Sequence, residues 1–178
     1  MAFFLRLFRK KKQANMTICG LDKAGKTSVI NYLMYGENRA TIPTMGVNVN
    51  TVNLPKLDIN IYDLGGQEGF RPLWADINER SQAIVYIVDS TDYDRFALLT
   101  RSIFHDIINA QIEEDIPVLV LLNKIDLPNR MSRADFIYHF GLLELTKITW
   151  SCFETSAMTG EGLVEAFTNF IHKLEDEA

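Results

Sequence analysis

Two periods organise the apolar positions of this chain. Six short runs read as strands: Met16 to Cys19, Val47 to Leu54, Leu57 to Tyr62, Ala83 to Val88, Pro117 to Leu122 and Thr149 to Phe153. The second and third alternate apolar with polar residues around Pro55 and Lys56, the pattern of a β-hairpin. Helical spacing governs Lys26 to Tyr35 and the segments at about 93–111, 132–140 and 161–175. In the last of these, Leu163, Phe167, Phe170, Ile171 and Leu174 recur on one face. Strands alternating with helices, without repeats or low-complexity linkers, predict an α/β domain. Its sheet is six-stranded and mostly parallel, with one antiparallel hairpin strand and helices on both faces. Ligands of such sheets sit at the carboxyl ends of the strands.

Composition narrows the class. With 178 residues, 47% of them hydrophobic, the chain suits one domain with a sizeable core. The longest apolar runs, Ala83 to Val88 and Ile116 to Leu122, fall far below the ~18 residues of a membrane span. Cys19 and Cys152 lie inside apolar segments, as reduced core thiols of a cytosolic protein do. The net charge of −5 is unevenly spread. Residues 1–12 carry Arg6, Arg9, Lys10, Lys11 and Lys12 and no acid, so acids outnumber bases in everything that follows. A basic tip on an acidic body argues against nucleic-acid binding, which spreads positive charge over a folded face.

The chemistry begins after the first strand. Gly20-x4-Gly25-Lys26-Thr27 is a complete P-loop pattern, placed between a strand and a helix. The backbone must curl until its N–H groups face inward, which glycines permit. Asp22, Lys23, Ala24, Gly25, Lys26, Thr27 and Ser28 form the expected phosphate cradle, with the Lys26 ammonium on the β- and γ-phosphates and the Thr27 hydroxyl on Mg2+. Asn123-Lys124-Ile125-Asp126 follows a buried run. The Asp126 carboxylate can accept from the ring N–H and exocyclic amine of guanine, whereas opposite adenine it would stay unpaired. Lys124 can lie along the base and Asn123 can tie this loop to the P-loop. Ser156 and Ala157 follow the last strand, and the Ala157 N–H is a candidate donor to the guanine oxygen. Between these elements stand Thr44, a second hydroxyl for the metal, and Asp63, which can hold a water of the magnesium shell. Gly66 can approach the γ-phosphate and Gln67 can orient the attacking water. Gln67, Lys26 and Gly66 are thus the catalytic candidates. Loss of the γ-phosphate would free the loops of Thr44 and Gly66 together.

Taken together, Gly20 to Thr27, Thr41-Ile-Pro-Thr-Met-Gly46, Asp63 to Gln67, Arg71-Pro-Leu-Trp74 and Val88-Asp89-Ser90 resemble the ADP-ribosylation factor (Arf) and Arf-like small GTPases over essentially the whole chain. The resemblance implies a P-loop NTPase of Ras-like G-domain fold, a switch loaded with GTP or GDP and Mg2+, and slow intrinsic hydrolysis. It also implies exchange factors, GTPase-activating proteins, and a hairpin that slides in register between the two nucleotide forms. Two features depart from the family. The chain opens Met1-Ala2, without the glycine that takes myristate. The exposed aromatic triad, at Val47, Tyr62 and Ile77 by position, retains one aromatic.

The N-terminal 13 residues are expected to form an arm separate from the G domain at 14–178. On a helical wheel Phe3, Phe4, Leu5, Leu7 and Phe8 face one way, and Arg6, Arg9 and Lys10 the other. Such a helix suits an anionic membrane interface as a weak, reversible anchor. The lesser alternative is a helix packed permanently on the domain, and the resemblance implies both in turn, docked with GDP and released with GTP. The expected protein is a cytoplasmic monomer with reversible peripheral membrane association. Two other functions compete with a hydrolysing switch. A GTP-binding scaffold with negligible turnover is opposed by Gln67, and a P-loop kinase for a small metabolite by Asn123 to Asp126. No arginine in cis is evident for hydrolysis. His105, His139 and His172 are scattered, and Trp74 and Trp150 read as packing residues.

Overall fold

The computed structural model describes residues 12–177. Six strands form one sheet: β1 (Lys12–Cys19), β2 (Val47–Asn53), β3 (Leu57–Leu64), β4 (Ala83–Asp89), β5 (Pro117–Asn123) and β6 (Thr149–Glu154). Their order is β2-β3-β1-β4-β5-β6. Only the β2–β3 pair is antiparallel, running from Val47 opposite Leu64 to Asn53 opposite Asp58. The other neighbours are parallel.

The sheet has apolar cores on both faces. On one, Ile18, Val85, Ile87, Leu119 and Leu121 pack against Val29 and Ile30 of α1 (Lys26–Tyr35) and against Leu163, Phe167 and Phe170 of the C-terminal helix (Leu163–Glu177). On the other, Cys19, Ile84, Tyr86, Val120 and Leu122 meet Trp74 of α2 (Pro72–Asn78). Phe104, Ile107 and Ile108 of a central helix and Phe136 and Phe140 of a later one complete that layer. Tyr86, Phe104, Phe136 and Phe140 form an aromatic cluster, with neighbouring centroids from 4.5 to 6.1 Å apart. The central strands are buried on both faces, which is why β4 and β5 read as continuous apolar runs.

The segment expected as one helix over 93–111 divides into α3 (Tyr93–Arg95), a π-helical turn (Phe96–Thr100) and α4 (Arg101–Ala110). The side chain of Asp92 caps α3 by accepting from the Arg95 N–H at 3.3 Å. Helix α5 spans Arg133–Phe140, capped by Ser132 on the Asp135 N–H, and α6 is the C-terminal helix. Helix α2 was not legible in the apolar pattern. It is short, starts at Pro72 in the first helical turn, and buries only Trp74 and Asn78. Among the described residues, Lys12 and Gln13, which the sequence reading gave to the arm, are part of β1. Their backbones pair with Leu57 and Asp58, and ladder pairing does not require apolar side chains. The residues of the expected amphipathic arm, Phe3 to Lys10, lie outside the described residues.

Candidate functional site

Strands β1, β3, β4, β5 and β6 all end on the same edge of the sheet, and the loops leaving them meet there. A cavity of about 360 Å3 opens between them. Asp22, Lys23, Gly25, Lys26, Thr27 and Ser28 line it from the first loop, Thr41 to Thr44 from the segment before β2, Gly66 and Gln67 from the turn after β3, and Lys124 from beyond β5. Ligand placement beyond the carboxyl ends of parallel strands is the geometry expected of this architecture.

The loop after β1 is wound tightly. Gly25 takes φ +94°, and a Cβ there would stand 2.5 Å from Asn123 Nδ2. Lys23 adopts a left-handed φ of 64° although it carries a side chain, and Lys124 does the same at 69°. Both line the cavity, so the backbone is held in uncommon conformations where a ligand would be gripped. Lys26 is 6% exposed. Its ammonium donates to the carbonyls of Gly20 at 3.0 Å and Leu21 at 2.8 Å. Burial pushes its pKa below the usual lysine value, against the pull of Asp63, Cys19 and Asp22. A desolvated cation held only by carbonyls is suited to an anion entering the cavity.

Three oxygen-bearing side chains converge beside it. The Thr27 hydroxyl donates to Asp63 Oδ2 at 2.7 Å and lies 2.9 Å from the Thr44 hydroxyl, which reaches the same Oδ2 at 3.4 Å. Asp63 Oδ1 is buried without a hydrogen-bond partner. Burial raises the Asp63 pKa, opposed chiefly by the Thr27 hydrogen bond and Lys26. Two hydroxyls and a carboxylate, one of whose oxygens is buried and unsatisfied, fit a hard, oxygen-seeking dication. Gly66 packs directly on the first loop: a Cβ on it would stand 2.5 Å from Lys26 Nζ. Gly65 donates its N–H to Gly46 at 2.8 Å, joining the two ends of the hairpin.

The loops beyond β5 and β6 interlock through Asn123. Its Nδ2 donates to the Ala24 carbonyl at 2.9 Å, while its Oδ1 accepts from the Ala157 N–H at 3.0 Å. The first bond is the expected tie to the P-loop. The second engages the Ala157 amide, the candidate donor to a guanine oxygen, with Asn123 Oδ1, which the Thr155 hydroxyl also reaches at 3.4 Å. Ser156 donates to Asp126 Oδ1 at 2.5 Å and accepts from the N–H groups of Met158 and Thr159, fixing the Asp126 carboxylate against its loop.

Three partners in this region escaped the sequence reading. Trp74 is 1% exposed and donates its indole N–H to the Gly65 carbonyl at 3.1 Å. Lys124 Nζ donates to Asp89 Oδ2 at 2.6 Å. Burial alone would raise the Asp89 pKa, but the bonds from Lys124 and Thr91 outweigh it and hold the carboxyl below its usual value. Arg95, from α3, binds Asp22 in the first loop. Motif spacing identifies loop residues, but not the long side chains that reach them from elsewhere in the chain. Burial pushes Cys19 and Cys152 up to about 12, so neither thiol is a nucleophile near neutral pH.

The fold and this set of loops define a P-loop small GTPase, and the comparisons carry the same assignment further. The model of the ADP-ribosylation factor family matches residues 1–174. ADP-ribosylation factor-like protein 1 of Saccharomyces cerevisiae is 35% identical over 176 residues, covering 99% of this chain and 96% of the yeast protein. In fold, the chain is similar to the Arl6 BBS3 small GTPase of Trypanosoma brucei, with a TM-score of 0.82. That match covers 94% of this chain and all of the other at 23% identity, and the trypanosome structure holds the nucleotide analogue GppNp. The chain belongs to the ADP-ribosylation factor family, as an Arf-like small GTPase.

Proposed function

We propose that this chain is a guanine-nucleotide switch that binds GTP and GDP with Mg2+, hydrolyses GTP slowly, and changes the shape of its hairpin loops when the γ-phosphate is lost. The observation that carries the reading is the convergence of Thr27, Thr44 and Asp63 beside Lys26, with Gly66 packed on the same loop. One element from each side of the hairpin thereby meets the phosphate cradle, which is what a device sensing the terminal phosphate needs.

In this reading the backbone of Asp22 to Ser28 wraps the phosphates and the Lys26 ammonium neutralises their charge. Thr27 and Thr44 hold the metal through their hydroxyls, and Asp63 holds it through a water. When bound, Mg2+ would supply positive charge that neutralises the phosphates. Gln67 orients the attacking water, and the Gly66 N–H stabilises charge developing on the γ-phosphate. Asp126 selects guanine, with Lys124 along the base and Asn123 locking the base loop to the P-loop. Ala157 contributes its N–H to the base when it exchanges or shares its bond to Asn123, and Ser156 holds Asp126 in place. Hydrolysis to GDP releases Thr44 and Gly66. Single-turnover hydrolysis tests this role of Gln67: Gln67→Leu keeps GTP binding and slows cleavage at least about tenfold. Equal measurable rates would remove Gln67 from the mechanism, and no cleavage by either form would favour a scaffold that does not turn over.

The apolar-basic segment Phe3 to Lys10 supports a second part of the proposal, reversible recruitment to anionic membranes in the GTP form, assisted by exchange factors and activating proteins. Flotation of the full chain with anionic liposomes is expected to recover the GTP-loaded form and not the GDP-loaded form. Equal recovery of both forms, or of neither, would discard nucleotide gating of the arm.

A further inference from the structure

An acid stands in the phosphate loop. Asp22 lines the cavity that, on the reading above, receives a nucleotide carrying three or four negative charges. A carboxylate there has the wrong sign twice over. It repels the phosphates, and it is close enough to the Lys26 ammonium to be drawn towards the cation they require.

The structure answers with one side chain. Arg95 lies in α3, beyond β4. Its Nη1 donates to Asp22 Oδ1 at 2.6 Å and its Nη2 donates to the Asp22 carbonyl at 3.1 Å. The guanidinium therefore holds both the carboxylate and the backbone of the same loop residue. Asp92 holds the guanidinium from behind, accepting from Nε at 2.5 Å while capping α3 through the Arg95 N–H. All three nitrogens of the planar fork are thus engaged, which restricts the orientation of the group. The side chains are partly exposed, at 31% for Arg95, 35% for Asp22 and 21% for Asp92, so solvent and salt reach the cluster.

We propose that Arg95 is a positioning residue for nucleotide binding: by holding the Asp22 carboxylate and carbonyl it keeps that acid from swinging further towards the phosphates or towards Lys26. The inference rests on the guanine-nucleotide reading of the cavity. Arg95 touches no phosphate in this role; it acts through Asp22. Its distinctive consequence is that the damage from losing Arg95 disappears when the acid it restrains is also removed. A residue that merely braces α3 would give no such rescue.

The test measures release of N-methylanthraniloyl-GDP from the full chain in excess Mg2+ and unlabelled GDP. Loss of a charge-assisted hydrogen bond predicts release from Arg95→Ala on the order of tenfold faster than from the parent. The double variant Asp22→Ala/Arg95→Ala is expected to return to within about threefold of Asp22→Ala alone, a coupling read as non-additivity. The Arg95→Ala defect is expected to shrink between 0.1 and 1 M salt, as the screening length falls from about 10 to about 3 Å. Where Arg95→Ala does not fold, Asp92→Asn loosens the fork from behind. A few-fold faster release, again cancelled by Asp22→Ala, is then expected. A parent chain that binds no GDP overturns the nucleotide reading and this inference together. A parent that binds GDP, with Arg95→Ala and Asp92→Asn both releasing at the parent rate, overturns the clamp alone. So does a double variant that exceeds Asp22→Ala by as large a factor as Arg95→Ala exceeds the parent.

Discussion

Lys26 is nearly buried, yet it faces no hydrogen-bonded carboxylate; two backbone carbonyls hold it. Burial depresses its pKa, so the folded chain disfavours the charged form that a phosphate would need. A group with a depressed lysine pKa takes stability away below that value, where the ammonium persists, and the cost lifts only as pH rises through it. On the proposed reading, the stability given up at this residue serves phosphate binding. Lys26→Met keeps much of the volume and removes the charge. It is expected to raise the melting temperature of the nucleotide-free chain and to abolish the further rise that saturating GDP gives the parent. A variant that melts lower than the parent, or still gains with GDP, would contradict this account of Lys26.

Among the elements, α2 matters most to the loop after β3. It carries Trp74 into the core, where the indole N–H meets the Gly65 carbonyl beside Gly66. Packing and loop geometry are therefore joined in one side chain. Trp74→Ala is expected to cost about 3–5 kcal/mol in urea unfolding, as large aromatic truncations do. Trp74→Phe keeps an aromatic ring in the core but loses the hydrogen bond and part of the buried volume, so an intermediate loss of about 1–3 kcal/mol is expected. Near-equal losses in the two variants would mean that the bond, not the burial, governs the site.

Neither α2 nor its role was visible in the apolar pattern, because seven residues with two buried positions leave no periodic signal. The Pro72 start was the available clue. The strands were legible for the opposite reason: β4 and β5 lie between two helical layers, so burial makes them continuously apolar. The P-loop and Asn123 to Asp126 stood out in the sequence because such motifs keep specific residue types at fixed spacing, and the structure brings the two together through the Asn123 bond to Ala24. Arg95 and Asp89 were not. Their partners lie 73 and 35 residues away, and only the crossover connections of the sheet bring them together. The π-helical turn at Phe96–Thr100 also left no trace in a pattern that reads smoothly as α-helix.

For the molecule as a whole, the sheet order explains why residues from five stretches of sequence meet at one place. Parallel strands β3, β1, β4, β5 and β6 deliver their following loops to a single edge, and Asn123 fastens the β5, β6 and β1 loops to one another. The central claim is that this edge grips one molecule at both ends, with Lys26 at its phosphates and Asp126 at its base. Calorimetric titration of the nucleotide-stripped chain in Mg2+ tests that claim most directly. The account predicts tight, single-site binding of GDP that a hundredfold excess of ATP does not displace, and its loss by at least about tenfold in Asp126→Ala, where the guanine-accepting carboxylate is gone. Equal heats with guanine and adenine nucleotides, or GDP affinity unmoved by Asp126→Ala, would contradict it.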